Sequence, residues 1–269
     1  MSVTTRRVVL RNSTLRIVNP SLRRELKVIM NIILFENHEL DLPFRRDDPR
    51  VIHVLEVLRR QIGDSTDVGL VDGPRGKAIL KTLDDEEVTF EFVWGEEPEA
   101  LLPIDLIVGL SRPQTCRKIL QEATSLGVRR IFFIATDRAE ASYATSKLWT
   151  TGEWKNLVRA GVEQAFSTRF PQVQFGVALT EVIKSTGAAD AKICMDNYES
   201  TVGLLEATGS RAPVKAVVLA IGSERGWSSD ERDLFRQNNF VLADLGERPL
   251  RTETATIAAI SVVLSLIHI

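Results

Sequence analysis

The sequence predicts an α/β protein in two parts, a small β-rich domain followed by a larger domain built on a mostly parallel sheet. Strand patterns and turn residues dominate from residue 31 to about residue 97, whereas strand-like and helical patterns alternate from Leu101 onward. Such alternation indicates a parallel sheet, because parallel neighbours need a crossover connection that is usually helical. The valine- and isoleucine-rich run 217–221 fits a strand buried on both faces of such a sheet.

The composition fits a chain of one or two packed domains and excludes several classes of protein. The 269 residues are 44% hydrophobic and 26% charged, with a net charge of −2, so any nucleic-acid binding must rest on local basic patches. Two cysteines and three histidines without ligand spacing predict neither a disulfide framework nor a metal site, and they favour a reducing, cytoplasmic location. The apolar stretch 257–269 is too short to cross a bilayer. We therefore expect no membrane segment and interpret this stretch as the final core helix.

The first 29 residues carry seven basic side chains and one acidic side chain. Two interpretations are open: a non-native or disordered extension, or an arginine-rich transit peptide or RNA-binding arm. We favour the first, because Met30–Phe35 has the apolar pattern of an opening strand. The predicted organisation is a basic extension over 1–29, a small domain over 30–98 and a larger domain over 99–269.

The small domain is predicted mainly from a hairpin. Two strand patterns flank a Gly-Pro-Arg-Gly turn at residues 73–76, which is a typical hairpin signal. The acidic, proline-containing segment 95–99 predicts the linker to the next domain. The predicted elements are a helix over 53–59 and strands over 68–73, 77–83 and 88–94.

In the larger domain, the predicted strands are 104–110, 130–135, 173–179, 191–195 and 217–221, and the predicted helices are 117–126 and 154–166. Ser228 or Ser229 is the expected N-cap of a further helix, which carries Asp230 and Glu231 in its first turn. Another short strand ends at Leu245-Gly246, and a helix of small residues begins at Thr252.

Two glycine-containing loops follow predicted strands of the larger domain. The first is Gly222–Gly226, and the second begins at Leu245-Gly246, about twenty residues later. Because the carboxyl ends of parallel strands meet at one edge of a sheet, the two loops predict a small-molecule pocket with walls of backbone. The first loop lacks both the Lys-Ser/Thr pair of a P-loop and the G-x-G-x-x-G pattern of a dinucleotide site.

The identities of the residues in these two loops are more specific evidence than the spacing of their glycines. Ile-Gly-Ser-Glu-Arg-Gly-Trp-Ser at 221–228 and Leu-Gly-Glu-Arg-Pro-Leu-Arg-Thr-Glu-Thr-Ala at 245–255 together resemble the 16S ribosomal RNA (uracil-N3)-methyltransferase family of the SPOUT superfamily. The first loop departs from the usual Gly-Pro-Glu-Gly-Gly form at Ser223 and Arg225. An arginine tolerates a positive φ poorly, so we expect strain if the loop requires one at that position.

The resemblance implies a fold, a cofactor and an assembly. The order His53-x-x-x-Val-Leu-Arg59, then Gly63-Asp64, is similar to the family's PUA-like barrel, and the larger domain is implied to be a trefoil-knotted SPOUT domain that forms a homodimer. Core packing is the alternative role for the two leucines of the second loop, and a solvated arginine or an ion pair with Glu253 is the alternative for Arg251. The implied contacts with S-adenosyl-L-methionine are Leu219, Ile221, Gly222, Glu224, Leu245, Gly246, Leu250 and Arg251.

Further residues are candidates for RNA binding. The segment 163–171 matches the spacing of a family segment, which favours RNA contacts by Gln164 and Arg169 over an ordinary helix end where an arginine complements the dipole. The small domain adds a cluster of arginines suited to phosphate groups. The predicted RNA-binding residues are Arg45, Arg46, Arg59, Gln164 and Arg169.

These features predict an enzyme that methylates a uracil N3 in 16S rRNA or the small ribosomal subunit. No histidine or cysteine is placed for general-base catalysis, so Arg169 and Arg251 are the expected catalytic cations that stabilise a developing uracil anion. The resemblance implies no metal. Two alternatives stay open: a SPOUT methyltransferase for another RNA position, and a non-catalytic RNA-binding or ribosome-assembly protein, for which the altered first loop is the argument.

Overall fold

The computed structural model of the chain describes residues 31–209 and 214–267. The described strands form two sheets, one with five strands in the order β1-β3-β4-β5-β2 and one with seven strands in the order β10-β12-β9-β11-β6-β7-β8. The predicted α/β class is therefore confirmed, with a small sheet followed by a large one. The prediction for residues 1–29 lies outside the described residues.

The small sheet curls into a half-closed barrel. Its strands are β1 (Ile33–Phe35), β2 (Phe44–Arg45), β3 (Ser65–Leu70), β4 (Arg75–Leu83) and β5 (Glu87–Trp94). Only the β1–β3 pair is parallel. The chain between β2 and β3 forms helix α1 (Pro49–Ile52) and a π-helical turn (His53–Val57), and a short 3-10 turn (Asn37–Glu39) follows β1.

Aromatic side chains fill the inside of the small sheet. Phe35 packs edge-to-face on Phe44 and Phe92, at ring-centroid distances of 5.2 and 5.0 Å. The guanidinium of Arg50 lies over the rings of Phe35 and Phe44 and forms ion pairs with Glu39 and Asp48. Arg50 therefore closes one end of this core while its charge stays neutralised.

The large sheet is parallel throughout. Its strands are β6 (Leu102–Gly109), β7 (Val128–Ile134), β8 (Gln172–Val177), β9 (Ala191–Met195), β10 (Val202–Gly203), β11 (Val217–Ile221) and β12 (Val241–Asp244). The helices between and after them are α2 (Pro113–Ser125), α3 (Lys147–Thr150), α4 (Glu153–Gln164), α5 (Leu179–Ser185), α6 (Leu204–Ala207), α7 (Ser229–Gln237) and α8 (Thr252–Ile267), with a 3-10 turn at Ala141–Tyr143.

Helices cover both faces of the large sheet, which explains why its central strands read as continuous apolar runs. Strand β11 is buried along its whole length. One face packs on apolar residues of α2, α3, α4 and α8, and the other on α5, α7 and Trp227. The predicted helix at the C-terminal end is thus confirmed as part of the core.

Most predicted elements are present, with shifted ends. The helix predicted over 117–126 begins four residues earlier, at Pro113, whose fixed φ suits a first helical position. The strand predicted over 173–179 ends at Val177, and Leu179 instead begins α5, which the sequence pattern did not indicate. In place of the helix predicted over 53–59, residues 53–57 form a π-helical turn, and the α-helical residues Pro49–Ile52 precede it.

A seam of hydrogen bonds joins the small sheet to the segment between α4 and β8. The backbone N–H of Asp72 donates to the carbonyl of Thr168 at 2.8 Å, and the hydroxyl of Thr168 donates to the carbonyl of Gly73 at 2.5 Å. The N–H of Phe170 donates to the carboxylate of Asp72 at 2.9 Å. Asp72 and Phe166 both adopt positive φ near 55°, an uncommon conformation for such residues. The seam therefore fixes the backbone of both the turn after β3 and the segment between α4 and β8.

Gly69 shows how closely the seam is packed. Thr168 is fully buried, and its methyl group occupies the space that a Cβ at position 69 would need. The side chains of Ile32 and Leu34 lie 3.0 Å from the same point. A β-branched, hydrogen-bonded neighbour cannot rotate away, so this strand position requires a glycine for close approach.

Gly69→Ala is expected to lower the free energy of unfolding by about 1–3 kcal/mol, because the added methyl group overpacks the seam. Urea denaturation of the full chain measures this change. Thr168→Ser removes the contacted methyl group and keeps the hydroxyl, so the double variant should regain part of the loss.

Gly203→Ala is the matched control, because an added Cβ there meets no atom within 4 Å. Its effect should stay within about 0.5 kcal/mol. A Gly69→Ala protein as stable as the parent would contradict the close packing described for the seam.

Candidate functional site

A cleft opens where β9, β11 and β12 end, at one edge of the large sheet. Because all three strands are parallel, their carboxyl ends and the loops that follow them meet there. The first loop, after β11, and the second loop, after β12, lie on the cleft together with the residues after β9. The lining residues are Met195, Asn197, Ile221, Gly222, Ser223, Gly226, Leu245, Arg248, Leu250, Thr252 and Ala255.

The first loop is a tight turn whose geometry depends on glycines. The N–H of Gly226 donates to the carbonyl of Ser223 at 2.9 Å. A Cβ on Gly222 would lie 3.0 Å from the Cα of Gly226, and a Cβ on Gly109, at the end of β6, would lie 2.5 Å from the backbone nitrogen of Ser223. The neighbours in both cases are backbone atoms, which have little freedom to move aside.

The arginine of this loop does not take the left-handed conformation that would strain it. The left-handed residue is Gly226, with φ of +71°, and Arg225 is absent from the described residues with positive φ. The side chain of Arg225 pairs with Glu140 at 2.9 Å. The backbone carbonyl of Arg225 accepts a hydrogen bond from the guanidinium of Arg138 at 3.2 Å. The departure from the family form is therefore accommodated by contacts with the loop after β7.

Trp227 links the first loop to the end of β9. Its ring is completely buried, and its indole N–H donates to the carbonyl of Met195 at 3.0 Å. The next residue, Ser228, is the N-cap of α7 and forms a capping box with Glu231. Of the two serines considered from the sequence, Ser228 is thus the cap, and the first loop is held at both ends.

The second loop turns on Gly246, whose φ is +98°. The N–H of Gly246 donates to the carboxylate of Asp244 at 2.8 Å, which lowers the pKa of Asp244. The guanidinium of Arg248 lines the cleft and has no ion pair or hydrogen bond among the described residues. The carboxylate of Glu253 pairs with Lys118 at 3.1 Å, and the nearby positive charge of Arg251 forms no ion pair with it within the described residues.

The eight predicted cofactor residues lie at different distances from the cleft. Four of them line it: Ile221, Gly222, Leu245 and Leu250. Leu219 is buried within β11, and Glu224 is exposed, with its carboxylate accepting the N–H of Arg112 at 2.8 Å. Gly246 and Arg251 are chain neighbours of lining residues. Seven other lining residues were not predicted from the sequence. Met195 and Asn197 lie outside the family-like segments. The other five lie inside them: Ser223, Gly226, Arg248, Thr252 and Ala255.

The predicted RNA-binding residues lie away from the cleft lining. The guanidinium of Arg169 sits at the seam, where it donates to the carbonyl of Asp72 and lies 3.3 Å from the carboxylate of Glu97. Gln164 ends α4 and is exposed. In the small sheet region, Arg45 pairs with Asp47, Arg46 donates to the carbonyl of Asp84, and Arg59 is exposed with a positive φ.

Neither cysteine is placed for nucleophilic chemistry. Both Cys116 and Cys194 are buried, and burial raises the pKa of the Cys116 thiol to about 12 and that of the Cys194 thiol well above its usual range. A thiol of this kind stays protonated at neutral pH and is inert.

Within residues 31–209 and 214–267, no group of three or more histidine, cysteine or acidic side chains is arranged to hold a metal ion. Among the described helices, none is long and apolar enough to span a membrane.

Comparisons with known proteins agree with this architecture. The family described as "RNA methyltransferase domain" matches residues 97–264. Ribosomal RNA small subunit methyltransferase E of Treponema pallidum is 34% identical over 251 residues, which cover 89% of this chain and 92% of that protein. Ribosomal RNA small subunit methyltransferase E 1 of Borreliella burgdorferi is 27% identical, with coverage of 86% and 95%.

A solved structure extends the likeness to three dimensions. The crystal structure of a ribosomal RNA small subunit methyltransferase E from Neisseria gonorrhoeae, bound to S-adenosyl methionine, superposes with a TM-score of 0.69 at 26% identity. The match covers 87% of this chain and 98% of that one. With its two sheets, its cleft between glycine loops and these relatives, the chain belongs to the RNA methyltransferase domain family, among the ribosomal RNA small subunit methyltransferases E.

Proposed function

We propose that this protein transfers the methyl group of S-adenosyl-L-methionine to the N3 atom of a uracil in 16S rRNA. The observation that carries the proposal is the cleft between the first and second loops, at the carboxyl edge of a parallel sheet, in a chain of this family. The proposed substrate is 16S rRNA, alone or in the small ribosomal subunit, and the proposed site of action is the cytoplasm.

The residues of the cleft fit S-adenosyl-L-methionine. Ile221, Leu245 and Leu250 provide apolar walls, and the tight turn at Gly222 leaves backbone groups accessible to a ligand. The hydroxyl of Ser223 is buried without a hydrogen-bond partner among the described residues, which suits a polar ligand. When bound, the cofactor supplies an electrophilic methyl group on its sulfonium sulfur. Leu219, Glu224, Gly246 and Arg251 are proposed to support or flank this site.

The chain's own contribution to the reaction is orientation and positive charge. Uracil N3 becomes nucleophilic as its proton passes to solvent water and negative charge spreads onto O2 and O4. A guanidinium donates to such oxygens in a fixed geometry. Arg251 adjoins the cleft, and Arg248 lines it with no ion pair among the described residues, which makes Arg248 a further candidate. Arg169 lies outside the lining, so its proposed role requires that the target uracil held at the cleft also reach this guanidinium.

We propose that the RNA contacts Arg45, Arg46, Arg59, Gln164 and Arg169. The guanidinium of Arg59 has no ion pair among the described residues and is free to meet a phosphate, whereas that of Arg45 must first leave Asp47. Because the Arg45–Asp47 pair is exposed, separating it costs little.

The large sheet is also proposed to carry the trefoil knot of the SPOUT superfamily, with the second loop and α8 completing it.

Gly222→Val should weaken S-adenosyl-L-methionine binding at least tenfold, because its branched side chain would project into the turn beside Gly226. Isothermal titration calorimetry with the full chain measures the affinity. Gly203→Val, where an added Cβ meets open space, is the control and should bind as the parent does. Parent-like affinity in Gly222→Val would place the cofactor elsewhere.

Arg169→Ala should lower turnover by about 10²–10³-fold, the usual loss for one donor to a developing oxyanion, while cofactor affinity stays unchanged. Arg251→Ala should lower both. Since Arg169 also pairs with Glu97, Glu97→Gln is the control that removes the ion pair and keeps the guanidinium. Unchanged turnover in Arg169→Ala would remove that residue from the reaction.

The expected product is N3-methyluridine in small-subunit rRNA. A strain that lacks its own enzyme, complemented with this gene, should regain one modified uridine by mass spectrometry of digested rRNA. A methylated ribose or another methylated base would contradict the assignment to uracil N3. Absence of any methylation, with rRNA still bound, would support a non-catalytic role.

The active form is expected to be a homodimer with two-fold symmetry, as the resemblance implies. Light scattering across a concentration series should give twice the mass of the chain. Activity per chain should fall as dilution separates the copies. A fully active monomer would contradict this expectation.

A further inference from the structure

The loop after β9 is pinned to the protein at almost every residue. Asp196 is buried, and one of its carboxylate oxygens accepts the backbone N–H groups of Tyr198 and Glu199, at 2.8 and 2.6 Å. The N–H of Asp196 donates to the carbonyl of Ala243 at 2.9 Å. Ser200 donates to the carboxylate of Asp244 at 2.8 Å. The backbone path of residues 196–200, here called the β9 loop, is therefore fixed.

A buried ion pair with α7 holds this loop in place. The guanidinium of Arg232, on α7, donates to the other carboxylate oxygen of Asp196 at 2.7 Å, and both side chains are at most 5% exposed. Arg236 and Arg232 also hold the carboxylate of Glu199. The desolvation cost of burying such a pair offsets much of the attraction between the two charges. Its main effect is therefore on the geometry of the chain and not on the free energy of unfolding. Here the geometry that it specifies is that of the β9 loop.

The side chain of Tyr198 is the exception in this fixed loop. It is 76% exposed, the largest exposed fraction among the large apolar side chains of the described residues. The guanidinium of Arg232 lies over its ring, 5.4 Å from the centroid. An edge of the ring adjoins the first loop, since a Cβ on Gly226 would lie 3.6 Å from it. The aromatic surface is therefore held beside the mouth of the cleft and presented to solvent.

The position of the ring indicates what it meets. Asn197 lines the cleft, whereas Tyr198 does not, so the ring lies outside the space assigned to the cofactor. Bases that are splayed out of RNA are commonly stacked on aromatic side chains. Tyrosine provides this surface at a small entropic cost, which falls further when the backbone is already fixed.

We propose that Tyr198 is a stacking platform for a base of the RNA substrate, either the target uracil or its neighbour, and so a positioning residue for the reaction. This inference rests on the proposed function of the cleft. Stacking needs the ring and not the hydroxyl, so Tyr198→Phe should behave as the parent does. Tyr198→Leu keeps the apolar bulk and removes the aromatic face.

The experiment measures RNA binding and methylation together. Affinity for a fluorescently labelled rRNA oligonucleotide that contains the target uridine is followed by anisotropy, and KM and kcat are measured with small ribosomal subunits that lack the methyl group. Tyr198→Leu should weaken RNA affinity and raise KM about 5- to 150-fold, the range for loss of one stacked base, with a smaller change in kcat. Its S-adenosyl-L-methionine affinity by calorimetry should be unchanged.

Val241→Ala is the matched control, because it removes an exposed apolar side chain at the amino end of β12, at the opposite edge of the sheet. RNA affinity of Tyr198→Leu equal to that of the parent would overturn the proposal, as would an equal loss in Tyr198→Phe. Conversion of a dimer to a monomer by Tyr198→Leu would also overturn it and assign the ring to contacts between copies. Failure of the parent to methylate small-subunit rRNA would instead count against the proposed function.

Discussion

The close approach between the end of β6 and the first loop is the constraint on which the site depends. The backbone nitrogen of Ser223 lies where a side chain at position 109 would begin, so two segments of backbone are packed directly against each other. This contact places the turn at Gly226 over the end of the sheet, and the buried ring of Trp227 then ties the turn to β9. The cleft between the two loops depends on this direct packing of backbone on backbone. A side chain at position 109 would push the first loop away from the end of β6.

Local signals in the sequence predicted the parts of the site that lie within one segment. The first and second loops, an N-cap at Ser228 or Ser229 and the apolar strand β11 were all predicted, because their geometry follows from glycine, capping and burial rules along the chain. Met195 and Asn197 were missed, because they reach the cleft only through pairing of β9 with β11 and carry no motif. The condition for strain at Arg225 is not met, because the positive φ falls on Gly226, and the sequence alone does not fix which residue of the turn takes it.

The seam gives the two sheets one shared segment. The chain between α4 and β8 bonds to the turn after β3 through Thr168 and Phe170, and Arg169 between them reaches both Asp72 and Glu97. A residue proposed to meet RNA is thus held by the small sheet although it belongs to the chain of the large one. Movement of one sheet against the other would displace this guanidinium, and with it the RNA contact proposed for Arg169.

The ion pair beneath the β9 loop has a consequence for how such sequences diverge. Loss of either Asp196 or Arg232 alone would leave the other charge buried and unpaired, which is costly. A joint replacement avoids this cost when the residue at position 196 still accepts the backbone N–H groups of Tyr198 and Glu199, as an asparagine would. Descendants of this chain should therefore change these two positions together, across a gap of 36 residues. Asn197 and Tyr198 stand outside this ion pair, so a change at either position alters the mouth of the site without leaving a buried charge unpaired.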